Sequence, residues 1–239
     1  MDRVTRHELK TDKFAEEVMQ SVEFVGAHRN TLLKYGGIAL AVIVVVGGTW
    51  SYFRQAKAER QNLLSEAFRV SGAFVGPEPR PGILAFPTAE AQQQAYVKAL
   101  NAVVAKGANS QEGLVATFLL AGIAADKGDL AAAEKGLKTV VDNADNDYAA
   151  MARQALGELY ASEGKMADAE KVLRQAMDKP AATVTKEQAT LTLAKLLKCA
   201  KPAEAKKLIE PMRVSGTGAA SRAAISLSAE LDNPANCAK

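Results

Sequence analysis

Residues 156–180 read LGELYASEGKMADAEKVLRQAMDKP, and the sizes of their side chains predict a helix, a turn and a second helix. Gly164 interrupts the apolar periodicity and marks the turn. Pro180 ends the second helix because proline lacks the amide hydrogen that a helix requires. Gly157 and Ala169 are small at the positions where two antiparallel helices would cross closely. The segment therefore predicts a helical hairpin.

The hairpin recurs when the chain is compared with itself at a shift of 36 residues. Small residues then fall on small residues, and large apolar residues fall on large apolar residues. The matched pairs are Leu120 and Leu156, Ala121 and Gly157, Gly128 and Gly164, Ala133 and Ala169, and Leu137 and Leu173. A third, shorter unit fits residues 187–213, and helices at 56–72 and 89–105 predict a divergent first unit. A closing helix is expected at 219–231, and a plain helical bundle without repeats is the alternative.

The sizes at these positions resemble the tetratricopeptide pattern, a helix-turn-helix of about 34 residues. The resemblance is closest within 150–183, whereas the unit at 114–149 has Ala124 where tyrosine is expected. It implies an all-α solenoid of helical hairpins over residues 111–231, and the first helices of such hairpins line a concave groove. The residues that we expect in this groove are Phe118, Gln154, Glu158 and Lys195.

The segment 35–53, YGGIALAVIVVVGGTWSYF, has no charged residue between Lys34 and Arg54. A helix of this length is about 28 Å long, which matches a hydrocarbon layer of roughly 30 Å. Only a helix satisfies its own backbone hydrogen bonds there. We therefore predict a single transmembrane helix that acts as an uncleaved signal anchor. A buried core element and a cleaved signal peptide are the alternatives.

The charges on the two sides of this segment do not decide its orientation. Four cations follow it within residues 54–69 and two precede it closely, which favours a cytoplasmic array. Counted over the whole segment 1–34, however, six Lys and Arg residues precede the apolar segment, which favours the opposite orientation. Long translocated domains follow the positive-inside tendency only weakly.

The remaining organisation follows from apolar spacing and from proline. Segment 1–34 is expected to be cytoplasmic, with an amphipathic helix from about residue 12 that either docks a partner or rests at the membrane surface. Segment 54–110 predicts membrane-proximal helices, interrupted at 73–88 by a proline-rich insertion without regular structure. Residues 232–239 are expected to form a flexible tail.

The composition excludes several classes of protein. The chain of 239 residues holds 46 alanines against 13 aromatic residues, a balance that excludes an all-β fold. A net charge of +3, without a basic stripe, gives no support for a nucleic-acid partner. Two cysteines, Cys199 and Cys237, do not suffice for a four-thiolate zinc site or an iron–sulfur cluster. Whether they pair after export is left open.

No catalytic constellation is evident, so we expect no enzyme, no cofactor, no metal and no small-molecule substrate. The two histidines, His7 and His28, both precede the apolar segment. The carboxylates Glu158, Glu163 and Glu170 offer the pair that a periplasmic glycan-cleaving enzyme needs. At helical spacing they are more typical of a solvated helix face.

The order of one span, a short helix before it, an alanine-rich helix after it and a tetratricopeptide array resembles the YfgM-like family of bacterial inner-membrane proteins. The resemblance covers residues 14–230. It implies a cytoplasmic amino end, a periplasmic array, and two partners, the SecYEG translocon and a membrane-anchored periplasmic chaperone of the peptidyl-prolyl isomerase type. The proline insertion departs from that family picture. An envelope-assembly or cell-division adaptor of the same architecture is the alternative.

Overall fold

The computed structural model describes residues 29–76, 82–215 and 218–233. The chain divides into one compact unit that ends at Ala58 and a second that begins at Glu59. Most of the predicted amphipathic helix, and the end of the predicted tail, lie outside the described residues. The elements in chain order are α1 (Arg29–Ser71), β1 (Phe74–Val75), β2 (Ala85–Phe86), α2 (Ala89–Gly107), α3 (Gln111–Asp126), α4 (Leu130–Asn143), α5 (Asn146–Ser162), α6 (Met166–Asp178), α7 (Lys186–Leu197), α8 (Pro202–Ser215) and α9 (Ala219–Leu231).

In the first unit, α1 carries apolar side chains that no other described element covers. The large apolar residues between Tyr35 and Phe53 each expose more than half of their surface. The helix is long and apolar enough to cross a membrane, by length and composition. At the carboxyl end of the apolar stretch, the Arg54 guanidinium lies 5.3 Å from the centre of the Trp50 ring. Trp50 is itself 64% exposed, a placement typical of residues at the edge of a lipid layer.

The second unit begins with the last turns of α1, which pack on α2 and α3. Ala67, Leu100, Val103 and Ala116 are fully buried in the shared core. One ion pair at its edge, between Arg60 Nε and Glu112 Oε2, is 3.3 Å long, and the Glu112 side chain is only 8% exposed. These contacts join the end of α1 and α2, which form the divergent first repeat, to α3 at the start of the array.

The connection between α1 and α2 contains more regular structure than the sequence predicts. Strands β1 and β2 pair in parallel, with Phe74 opposite Ala85, while residues 77–81 lie outside the described part. The side-chain amide of Gln92 lies within 3.1 Å of three carbonyl oxygens at the end of α1. Carbonyls at a helix end have no partner within the helix, so Gln92 caps the carboxyl end of α1.

The predicted succession of helical hairpins is confirmed for α3–α4, α5–α6 and α7–α8. Gly128 and Gly164 have φ of +79° and +75°, a left-handed backbone that glycine adopts without strain. Asp129 caps α4, and Thr185 forms a reciprocal capping box with Gln188 at the start of α7. These turns and caps fix where α4, α6 and α7 begin.

Three clusters of buried side chains form the core of the array, and the smallest consists of Ala150, Ala176, Val184 and Ala189. The first lies among α3, α4, α5 and α6 and contains both matched alanines, Ala133 and Ala169. The second lies among α6 to α9, and Leu227 of α9 is 2% exposed within it. Helix α9 covers the apolar side chains at the end of the last hairpin, as the terminal element of a repeat array must.

Candidate protein-binding groove

A groove runs between α3 and α5, the first helices of two successive hairpins. It holds a cavity of about 370 Å³ with α4 below it. We call it the α3/α5 groove, and its lining residues are Phe118, Leu119, Ala121, Gly122, Ala125, Asp126, Leu137, Ala155, Glu158, Leu159 and Ser162. The hairpin geometry creates it, because the second helix of each hairpin lies behind the first.

Small residues keep this groove open. A Cβ atom added at Gly122 would meet no other atom within 4 Å, so the backbone of α3 faces free space there. Ala125 and Ala155 widen the same opening on its two sides. Phe118 stands at one end, with its ring edge-on to Tyr148 at 6.2 Å. The result is an apolar depression that a side chain from another molecule fits.

The rim of the α3/α5 groove is acidic. Glu158 is exposed, and its Oε1 accepts a hydrogen bond from Gln154 Nε2 at 3.2 Å. Asp126 supplies a second carboxylate among the lining residues. Within the described part of the chain, the residues that line the cavity include no Lys, Arg or His. The groove thus combines an apolar floor with two carboxylates and no cation among its lining residues.

The structure brings three of the four predicted groove residues together. Phe118 and Glu158 line the cavity, and Gln154 is hydrogen-bonded to Glu158. Lys195 is an exposed residue of α7, outside the cavity lining. A role for any of the four in binding stays a prediction.

A second cavity, which the sequence did not predict, lies among α6, α7 and α8. Its volume is about 800 Å³, and its apolar lining includes Met177, Leu208 and Met212. Lys186, Glu187, Glu204 and Lys207 are also among its lining residues, so its rim carries charges of both signs, whereas the lining of the α3/α5 groove holds only acidic ones. We call it the methionine groove. Met177 and Met212 lie 35 residues apart, which is not the 36-residue shift of the repeat, so no signal in the sequence pairs them.

A polar network joins the first hairpin to the second. Glu134 Oε1 on α4 accepts hydrogen bonds from the Tyr160 hydroxyl at 3.0 Å and from Lys138 Nζ at 2.6 Å. Lys138 and Lys165 both place their ammonium groups within 6 Å of the centre of the Tyr160 ring. The hydrogen bonds from Lys138 and Tyr160 hold the pKa of Glu134 below its usual value. The network stabilises the packing between repeats.

Two of the three carboxylates considered for glycan cleavage are paired with cations. Glu163 is ion-paired with Lys165 at 3.2 Å. Glu170 pairs with Lys201 and Arg174, and hydrogen bonds from these two cations lower the pKa of Glu170. A general acid for glycoside hydrolysis needs a raised pKa instead. The arrangement at Glu170 therefore opposes a general-acid role for this residue.

The described residues contain no group of three or more His, Cys, Asp or Glu side chains placed to hold a metal ion. His7 and His28 lie outside them.

A family model described as a tetratricopeptide repeat-like domain matches residues 30–207. The matched region begins within the first turn of α1, so it includes the apolar helix together with the hairpins. No curated protein and no solved structure matches the chain.

Proposed function

We propose that this chain, which belongs to the tetratricopeptide repeat-like domain family, is a membrane-anchored scaffold that holds another protein in its α3/α5 groove and catalyses no reaction. Repeats of this family are typically interaction modules without enzymatic activity. The observation that carries the proposal is the open apolar cavity with an acidic rim, formed by the first helices of two hairpins. Solenoid proteins bind their partners on surfaces of this kind.

The chemistry of the groove specifies the kind of partner. The cavity of about 370 Å³ accommodates one large apolar side chain beside the exposed backbone at Gly122. Glu158 and Asp126 favour a Lys or Arg next to that apolar residue, because opposite charges attract across a partly desolvated rim. The partner is thus a peptide segment or helix that presents an apolar anchor flanked by a cation.

The exposed apolar side chains of α1 support the membrane anchor. An uncovered apolar surface of this length is unfavourable in water and favourable in lipid. The proposed topology places the amino end in the cytoplasm and the array in the periplasm of a bacterial inner membrane. This orientation follows the resemblance to the YfgM-like family.

The same resemblance supplies the named partners of the proposal. They are the SecYEG translocon and a periplasmic chaperone of the peptidyl-prolyl isomerase type, near which the scaffold holds client proteins during export. An adaptor in envelope assembly or cell division, with the same architecture, is the alternative.

Purification of the full-length protein in mild detergent tests the groove. Glu158→Lys reverses the charge of the rim, and Asp142→Lys makes the same charge change at an exposed position of α4 outside the cavity. We expect wild type and Asp142→Lys to retain a translocon or chaperone component, and Glu158→Lys to lose most of it. Recovery of the wild-type protein without any such component contradicts the translocon proposal. Equal retention by the two variants contradicts the groove.

Two further measurements test the anchor and its orientation. The full-length protein is expected in the detergent phase after phase partitioning and in the pellet after carbonate extraction. A reporter that is active only in the periplasm, fused after Lys239, is expected to be active. An aqueous protein contradicts the anchor, and a silent reporter contradicts the orientation.

A further inference from the structure

We propose that the methionine groove is a second docking site, which binds an amphipathic helix whose apolar stripe is flanked by acidic residues. The groove lies between α6 and α8, the second helices of two successive hairpins, with α7 at its base. The α3/α5 groove lies instead between first helices. The first and second helices of stacked hairpins form opposite faces of an array. The two grooves therefore open on opposite faces and leave room for two different proteins.

The floor of the methionine groove is apolar and still partly open. Met177, Leu208 and Met212 pack against the second core cluster, yet each of these side chains is only half-buried. Thr190 is 7% exposed, and its hydroxyl already donates a hydrogen bond to the Lys186 carbonyl oxygen at 2.7 Å. The floor therefore favours an apolar side chain over a polar one. Methionine side chains also bend to follow the surface that they contact.

The size of the methionine groove suits a helix with more than one anchor. Its volume of about 800 Å³ is more than twice the 370 Å³ of the α3/α5 groove, which accommodates one large side chain. Its lining residues on α8 recur one turn apart, from Ala203 through Lys207 to Pro211, over a length of about 12 Å. Anchors at i and i+4, or at i and i+7, of a bound helix lie about 6 or 10 Å apart. Both spacings fit this length, and both are typical of helices that bind in apolar grooves.

The charges without a partner at the rim of the methionine groove are mainly positive. Within the part of the chain that the structure describes, Lys186 and Lys207 form no ion pair. Glu204, by contrast, is paired with Arg174. Glu187 lies in the first turn of α7, where the positive end of the helix dipole offsets its charge, whereas the same end adds to the charge of Lys186. An acidic residue beside the apolar anchors therefore complements this rim.

Methionine methyl NMR signals of the full-length protein in lipid nanodiscs test the docking site. The probe is an alanine-rich synthetic peptide of about four helical turns, with leucines at i, i+4 and i+7 and glutamates beside them. We expect this acidic peptide to shift the signals of Met177 and Met212. Met166 should stay unchanged, because it is half exposed at the start of α6 and lies outside the lining. Empty nanodiscs measure the binding of the peptide to lipid.

Two outcomes of this titration would overturn the proposal. The first is that the signals of Met177 and Met212 do not move at about 1 mM peptide, which would leave the affinity too weak for a docking site. The second is that these signals move with protein concentration in the absence of peptide. That result would identify a second copy of the chain as the occupant.

Charge reversal tests the chemistry of the bound helix. A basic peptide, with lysines in place of the glutamates, should bind the wild type about tenfold more weakly. Lys207→Glu should favour the basic peptide instead. Lys171→Glu makes the same charge change at an exposed position of α6 outside the lining and should keep the preference of the wild type. Equal affinity for the two peptides, or an unchanged preference in Lys207→Glu, would overturn an acidic partner.

A further variant tests whether the two grooves act independently. Simultaneous binding of two proteins rests on the function proposed above, whereas binding in the methionine groove does not. Glu158→Lys changes the α3/α5 groove and should leave the affinity for the acidic peptide unchanged. Excess peptide should likewise leave the translocon or chaperone component bound to the wild type. A weaker affinity in Glu158→Lys, or displacement of that component, would overturn the placement of the grooves on opposite faces.

The same measurements separate the failure of the two proposals. A retained translocon or chaperone component without peptide binding overturns the methionine groove alone. Peptide binding without any retained component overturns the proposed function alone.

Discussion

In each of the hairpins α3–α4 and α5–α6, the two helices cross closely at a glycine. The glycine lies on the second helix in α3–α4 and on the first helix in α5–α6. In α5–α6 the glycine is Gly157 on the first helix, where an added Cβ would lie 2.6 Å from Leu173 Cγ. In α3–α4 the glycine is Gly136 on the second helix, where an added Cβ would lie 2.8 Å from the Cβ of Ala121. Ala121 and Gly157 are the matched positions of the 36-residue repeat. The repeat thus preserves the closeness of the two helices and allows the glycine to change sides.

The two hairpins also differ in how they join the preceding helices. Tyr160 of α5 donates its hydroxyl hydrogen bond to Glu134 of the previous hairpin. The matched position in α3 is Ala124, which has no hydroxyl group. There the buried ion pair between Arg60 and Glu112 joins α3 to α1. A hydrogen-bond network and an ion pair therefore serve the same purpose at successive interfaces.

The largest expected loss of stability comes from a substitution that disrupts the close crossing of α5 and α6. In Gly157→Val, the branched side chain overlaps Leu173, which is 1% exposed and has no room to move. Overpacking of this kind costs about 2 to 3 kcal/mol. Chemical denaturation of the detergent-solubilised protein measures it. A variant as stable as the wild type would show that the helices do not cross as described.

A smaller loss of stability is expected at the crossing of α3 and α4. Gly136→Ala adds a methyl group that the rigid Ala121 cannot avoid, so α3 and α4 must separate by a few tenths of an ångström. The higher helix propensity of alanine offsets about 1 kcal/mol of the cost, which leaves a net destabilisation of about 1 kcal/mol. Ala121→Gly in the same chain should restore the spacing and recover part of the stability. If the double variant is less stable than Gly136→Ala, the proposed clash is absent.

The network at Tyr160 predicts a pH dependence. The folded state lowers the pKa of Glu134 below that of the unfolded chain, so its stabilisation is present above about pH 4.5 and is lost as the pH falls through the lower folded value. Glu134→Gln should reduce the melting temperature by about 3 °C at pH 7. This difference should shrink towards pH 3. Asp142→Asn, at an exposed carboxylate on the same helix, is the control and should change little at either pH.

The smallest expected effect on stability is at Gly122, where no neighbour opposes a side chain. Gly122→Ala should stabilise the protein by about 0.5 to 1 kcal/mol, because alanine favours the helix more than glycine does. The added methyl group enters the α3/α5 groove, so partner recovery should fall while the melting temperature rises. If partner recovery is unchanged, the partner does not contact this surface.

The sequence predicts the hairpins because their determinants are local. Gly128, Gly164 and Pro180 each act on the backbone at their own positions, and the sizes of Ala133 and Ala169 reveal the crossing. The groove residues Phe118 and Glu158 follow from that register, since residues four or seven apart share a helix face.

Features that depend on contacts between distant residues could not be read from spacing. One hairpin places the glycine of its close crossing at Gly157 on the first helix, and the other places it at Gly136 on the second. This difference can be recognised only when the residues of the facing helix are known. The pair β1–β2 joins two-residue segments that have no periodicity of their own. The methionine groove arises where three helices meet, and its lining residues are far apart in the chain.

Site-specific photocrosslinking in native membranes tests the central claim most directly. A photoreactive phenylalanine analogue replaces Phe118 in the α3/α5 groove or Asp142 outside it, in the full-length chain. We predict a crosslink to another envelope protein from position 118 and none from position 142. The absence of a crosslink at 118, or the same product from both positions, would contradict a membrane-anchored scaffold that binds its partner in this groove.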